Sequence, residues 1–145
     1  VSDALYAAVA AWATAQRLPV AVHIAESTAE TDLVRNAAGA FATYLRDQRG
    51  IAVAPRGRSP IAMLERTGLL ATRPLCIHAV QVDDDDVARL ARAQASVVHC
   101  PCSNAWFAHG EAPVAAYRHA GIAVGLGTDS IASNTQVRIA VEAQH

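Results

Sequence analysis

The sequence predicts an α/β architecture built on a parallel sheet, and three observations carry that prediction. Four short runs, VAVHIA (20–25), PLCIHAV (74–80), ASVVHC (95–100) and IAVGLG (122–127), are apolar nearly throughout, as strands buried on both faces are. Segments of helical periodicity separate them, the alternation that lays helices over a parallel sheet. His23, His78, His99 and Asp129 each fall at or just beyond the carboxyl end of a different run. Length alone suits a small open sheet. Polar groups at four strand ends favour part of a (β/α)8 barrel instead, because there the strand ends converge on one mouth.

Each element has a local cause. Ser2 or Asp3 caps a first helix running to about Gln16, with Leu5, Val9, Trp12 and Ala13 on one face. Pro19 introduces the first strand, and one long Ala-rich helix is expected from about Thr28 to Gln48. Arg56 to Ser59 forms a turn, followed by a helix with Pro60 in its first turn and Gly68 as its stop. DDDDVARLARAQ (83–94) reads as a helix whose acidic start and basic end, Arg89 and Arg92, both complement the helix dipole. Val87, Leu90 and Ala91 give it an apolar stripe. PVAAYRHAG (113–121) is a last helix closed by Gly121. No linker interrupts the pattern, so one unit over 1–145 is expected.

Composition narrows the function. The 145 residues are 52% hydrophobic and 17% charged, ample for a core, and the net charge of −1 argues against a nucleic-acid or anionic-membrane partner. Every basic residue is Arg. That excludes, within this sequence, a phosphate-loop lysine, a Schiff-base lysine and a carbamylated lysine bridging two metals. Cys76, Cys100 and Cys102 are too few for a disulfide scaffold and suit a reducing, cytoplasmic setting. The apolar N-terminal stretch carries Asp3 and no basic leader, so it reads as a helix rather than a signal peptide or membrane span.

Chemistry concentrates at the strand ends. His23 precedes Glu26 by three residues, a pair that alone reads equally well as a core imidazole beside a surface carboxylate. His78 at the end of an apolar strand is costly unless its nitrogens find partners. Asp129 after IAVGLGT needs a metal or donors, or else serves as a turn or cap residue. The spacing of Cys100 and Cys102 is too short for a usual zinc pair, and Asp83 to Asp86 lack calcium-loop spacing. The glycines form no dinucleotide fingerprint. Trp12, Trp106 and Phe107 are too few for a nucleic-acid stacking surface, although Trp106 and Phe107 are candidates to line a pocket for a flat ligand.

Together, HIAES (23–27), CIHA (76–79), VVHCPCSN (97–104), GEAP (110–113) and GIAVGLGTDSIASN (121–134) resemble the amidohydrolase superfamily. The branch they most resemble holds the cytosine, guanine and adenosylhomocysteine deaminases and the chlorotriazine hydrolases. RGRSP (56–60) and LGTDSIASN are most similar to aminodeoxyfutalosine deaminases. The resemblance implies strands five to eight of a metal-dependent (β/α)8 barrel. It implies one divalent metal, zinc first and iron(II) second, with His23 and Asp129 as ligands. It further implies that Glu26 protonates a ring nitrogen, that His78 orients the attacking water, and that Asp129 accepts the water's proton. His99, Asn104 and Trp106 would shape the substrate site. The reaction implied is hydrolytic deamination of an adenine-like or other heteroaromatic ring. The alternatives are dechlorination, opening of a cyclic amide such as imidazolonepropionate, or a catalytically incomplete structural or interaction domain.

Two departures stand out. The family's first-strand His-x-His pair is absent, so only two of its usual metal ligands are present. Residues 1–145 are therefore expected to be the C-terminal half of a barrel, needing the other half as a partner and prone to associate through open edges, a homo-oligomer being one form of that association. Cys102 stands where relatives often carry Arg or Glu.

Overall fold

The computed structural model describes residues 1–145 and shows a parallel four-stranded sheet with helices packed on one side. In chain order the elements are α1 (Asp3–Gln16), β1 (Ala21–Ile24), α2 (Thr28–Asn36), α3 (Gly39–Arg49) and α4 (Pro60–Arg66). A 3₁₀ turn (Leu69–Thr72) leads to β2 (Leu75–His78), α5 (Asp84–Arg92), β3 (Ser96–His99) and α6 (Pro101–Trp106). The chain ends with α7 (Val114–His119), β4 (Val124–Leu126) and α8 (Ile139–Glu142).

All four expected strands form. They pair only with their sequence neighbours, in the order β1-β2-β3-β4, as in the wall of a (β/α)8 barrel. The register sets Ile24 beside His78 and His99 beside Leu126, so the carboxyl ends lie at one level. One side of the pleat packs under the helices through Ile24, Cys76 and Val97. Leu90, Ile61 and Leu64 meet them from α5 and α4. On the other side Leu75 stays 38% exposed, and β1 and β4 each keep one unpaired edge.

The caps act as the sequence implies. Ser2, Ser27, Ser59 and Asp83 each accept a backbone N–H from the first turn of the helix they precede. The long helix expected over 28–48 is corrected: it is two helices. Ala37 closes α2 in the left-handed region at φ 51°, and Gly39 turns the chain again at φ 81°. A Cβ on Gly39 would lie 3.3 Å from the Asp32 Cβ, so glycine suits both the turn and the close approach. The helices α6 and α8 are additions to the elements expected from the sequence. No helix is long and apolar enough to cross a membrane.

Candidate active site

The strand ends form the mouth expected from the sequence. His23, on β1, offers a ring nitrogen to a group that also contains His78 and Asp129, with one donor atom of each within 4.8 Å of the others. The His23 and His78 ring centroids are 5.3 Å apart. The backbone leaves regular strand geometry here to achieve this. Ala25, His78, Ala79 and Asp129 all have positive φ, between 47° and 71°, a conformation that costs non-glycine residues energy and is held only by surrounding structure. The restraints are visible: Tyr117 Oη donates to the Ala79 carbonyl, and the Val80 and Gln81 amides both donate to the Ala25 carbonyl.

His78 is 1% exposed. Its Nδ1 lies 3.0 Å from Asn104 Oδ1. A carbonyl oxygen only accepts, so Nδ1 carries a proton, and in the neutral ring Nε2 keeps its lone pair. That Nε2 is buried with no hydrogen-bond partner and lies 3.7 Å from Glu26 Oε1. Two acceptors facing each other require a proton, a water or a cation between them. The cluster therefore fits a divalent metal: two imidazoles and a carboxylate are the nitrogen and oxygen donors that zinc takes.

Asp129 is clamped from both sides. Ser103 Oγ donates to its Oδ2 at 2.6 Å and Ser133 Oγ at 2.7 Å. Burial pushes its carboxyl up, but these two bonds and the nearby His78 and His23 outweigh burial and hold it below the usual carboxylate value. With both hydroxyls on Oδ2, Oδ1 is left for a ligand. Gly127 makes the approach possible, since a Cβ there would sit 2.5 Å from Val98 Cγ1.

Glu26 projects from the loop after β1. Its backbone N–H donates to Glu30 Oε2 at 2.8 Å, while Ser27 Oγ accepts the Glu30 N–H, close to a capping box. His109 Nε2 approaches Glu26 Oε1 at 3.5 Å from the other side. His99 and Asn104 line a cleft of about 580 Å³ together with Glu111 and Ala112. Burial lowers the His99 pKa, and both its Nδ1 and Asn104 Nδ2 lack partners.

The structure thus brings His23, Glu26, His78 and Asp129 together, with Asn104 bonded to His78. Asn104 contacts His78 with its oxygen, a second role beside the substrate contact expected of it. His99 lines the adjoining cleft. Trp106 stands apart from that cleft. It is 61% exposed at the end of α6 and lines a different groove with Cys102, Ser133 and Asn134. Sequence reasoning missed Ser103, Ser133, His109 and Glu111 as site residues. Their motif neighbours were the available signal, because Ser103 adjoins Asn104 and Glu111 lies in GEAP.

A partial (β/α)8 barrel with histidine and carboxylate donors at its mouth defines a class, and the comparison with known families agrees. The chain belongs to the amidohydrolase family, whose model matches residues 1–145. It is 36% identical over 154 aligned residues to the aminodeoxyfutalosine deaminase of Deinococcus radiodurans, covering 98% of this chain and 36% of that protein. It is 45% identical over 84 residues to the 5-methylthioadenosine/S-adenosylhomocysteine deaminase of Symbiobacterium thermophilum, covering 57% of this chain and 19% of that one. A solved adenosine deaminase from Xanthomonas campestris with bound zinc superimposes with a TM-score of 0.77 at 29% identity. That match covers 98% of this chain and 28% of the zinc protein. The chain thus spans about a third or less of the length of these relatives.

Proposed function

We propose that this chain carries the catalytic face of a metal-dependent aminohydrolase that removes the amine from an adenine-like ring and releases ammonia. The observation that carries the reading is the convergence of His23, His78 and Asp129 donors within 4.8 Å, with the Glu26 carboxylate beside them. The three relatives named above, all deaminases and two of them named for adenosine compounds, support the same chemistry.

His23 and Asp129 would hold a divalent cation, for which zinc is the first candidate and iron(II) the second. When bound, such a cation supplies water whose pKa falls from about 15.7 toward 7, a nucleophile at neutral pH. Asp129 accepts the proton of the attacking water. His78, fixed by Asn104 with Nε2 facing inward, orients that water. Glu26 gives a proton to the ring nitrogen next to the carbon under attack, so no full negative charge builds on the ring. The proton held by Asp129 passes to the departing amine, the hydroxyl proton on the attacked carbon returns to Glu26, and ammonia leaves. The cleft at His99, Asn104 and Glu111 receives the rest of the substrate.

Residues 1–145 are read as the C-terminal half of the barrel. The exposed inner face at Leu75 and the two unpaired strand edges support a second half, which would also bring further metal ligands. The three free cysteines suit a cytoplasmic setting.

The test is ammonia release by the full-length protein against adenine nucleosides, guanine, cytosine and chlorotriazines, before and after metal chelation. Deamination of an adenine nucleoside that is lost on chelation and restored by zinc is expected. Chloride release without ammonia, or turnover that ignores chelation, overturns the reading.

A further inference from the structure

Asp86 and Glu142 are the acidic side chains buried to 1% exposure. Asp86 is accounted for by the hydroxyl of Ser59 and by Arg89. Glu142, on α8, makes no ion pair and plays no part in the chemistry above. A buried carboxylate held only by neutral donors costs more than an apolar residue of the same size would. Its contacts show where that cost is recovered.

Glu142 Oε2 accepts the backbone N–H of Cys102 at 3.0 Å. Its Oε1 accepts from Asn134 Nδ2, and the same amide nitrogen donates to the Thr128 carbonyl at 2.9 Å. Each anchored residue is the chain neighbour of one member of the clamp on the candidate metal ligand. Cys102 precedes Ser103, Asn134 follows Ser133, and Thr128 precedes Asp129. One carboxylate therefore ties the start of α6 to the loop after β4, the two segments whose serines grip Asp129 Oδ2.

We propose that Glu142 is a positioning residue for Asp129. By fixing the separation of Ser103 and Ser133 it holds the Asp129 carboxylate with Oδ1 presented to the mouth. The proposal rests on the reading of Asp129 as a metal ligand, and it adds a residue that touches neither metal nor substrate.

The test is a double-mutant cycle on zinc affinity in the full-length protein, read by competition with a chromophoric chelator. Glu142→Gln keeps the volume but replaces one acceptor oxygen with an NH2 group, which cannot accept from Cys102 or Asn134. It is expected to weaken zinc binding about 10–100-fold, the usual consequence of losing an outer partner of a ligand. In a Ser103→Ala/Ser133→Ala background the same change should add less than about 2-fold, because coupled residues are non-additive. If Glu142→Gln does not fold, Glu142→Asp carries the comparison, since it keeps both acceptors but withdraws them by one methylene. Zinc affinity within 2-fold of the unsubstituted protein, or the same loss in both backgrounds, overturns the proposal. Zinc binding without deamination of any substrate sinks the proposed activity and leaves the Glu142 cycle to be decided on its own. A protein that binds no zinc overturns both.

Discussion

The mouth and the outer helical layer handle polar groups in opposite ways. In the outer layer charges are paired: Asp3 meets Arg56 and Arg66, Arg58 meets Asp83 and Asp85, and Glu65 meets Arg89. Buried Ser59 and Asp86 satisfy each other at 2.6 Å. At the mouth, His78 Nε2, His99 Nδ1 and Asn104 Nδ2 are buried without partners. The first region is arranged for the stability of this chain. The second leaves polar atoms open to a ligand, as the proposed working face requires.

Substitutions can sharpen or break this comparison. The largest effect is expected at the mouth. Glu26→Gln should lower kcat by about 10²–10⁴, the range for losing a positioned acid–base group. Zinc affinity and the melting temperature should stay near those of the unsubstituted protein, because Glu26 is partly exposed. A kcat unchanged by Glu26→Gln would remove it from the chemistry.

Leu90→Ala should invert that pattern. Leu90 is fully buried in the core that joins α5 to the sheet, and such truncations cost roughly 2–5 kcal/mol. Denaturant unfolding should show this loss, while kcat at a temperature where the variant is folded should barely change. A stable Leu90→Ala variant with collapsed activity would mean that the two regions are not separable as described.

Asp3→Asn should have the smallest effect. Burial pushes the Asp3 carboxyl up, but Arg66 and Arg56 outweigh it and hold it below its ordinary value of 3.8. A group held low in the folded state stabilises above its unfolded pKa, and that contribution disappears as pH falls through the folded value. The side chain is 34% exposed, so after solvent screening the loss should be under about 1 kcal/mol near pH 7. It should shrink to nothing in strong acid. A penalty that persists at low pH would show that Asp3 acts through packing or capping rather than charge.

Thiol chemistry adds a check without mutation. Burial raises the Cys76 thiol to about 12 and Cys100 to about 11. Neither should react with iodoacetamide at pH 8 in the folded protein, since the thiolate is the reactive form. Rapid labelling of Cys76 would show that the layer between sheet and helices opens readily.

The sequence by itself determined the strands, the parallel class and the identity of His23, Glu26, His78 and Asp129 as the residues to watch. Each was legible because its signal is local. Apolar runs mark buried strands, serine and aspartate caps mark helix starts, and a polar residue ending an apolar run is conspicuous. The single helix assigned to 28–48 failed because Ala37, a helix-forming residue, takes the left-handed turn, and Gly39 is the local signal of the break. Tertiary structure alone decided the rest. Asn104 fixes the His78 ring across 26 residues, Ser103 reaches Asp129 across 26, and Glu142 reaches Cys102 across 40. No periodicity links residues that far apart. They meet because four strands of matched register end at one level, so distant loops are stacked side by side at the mouth.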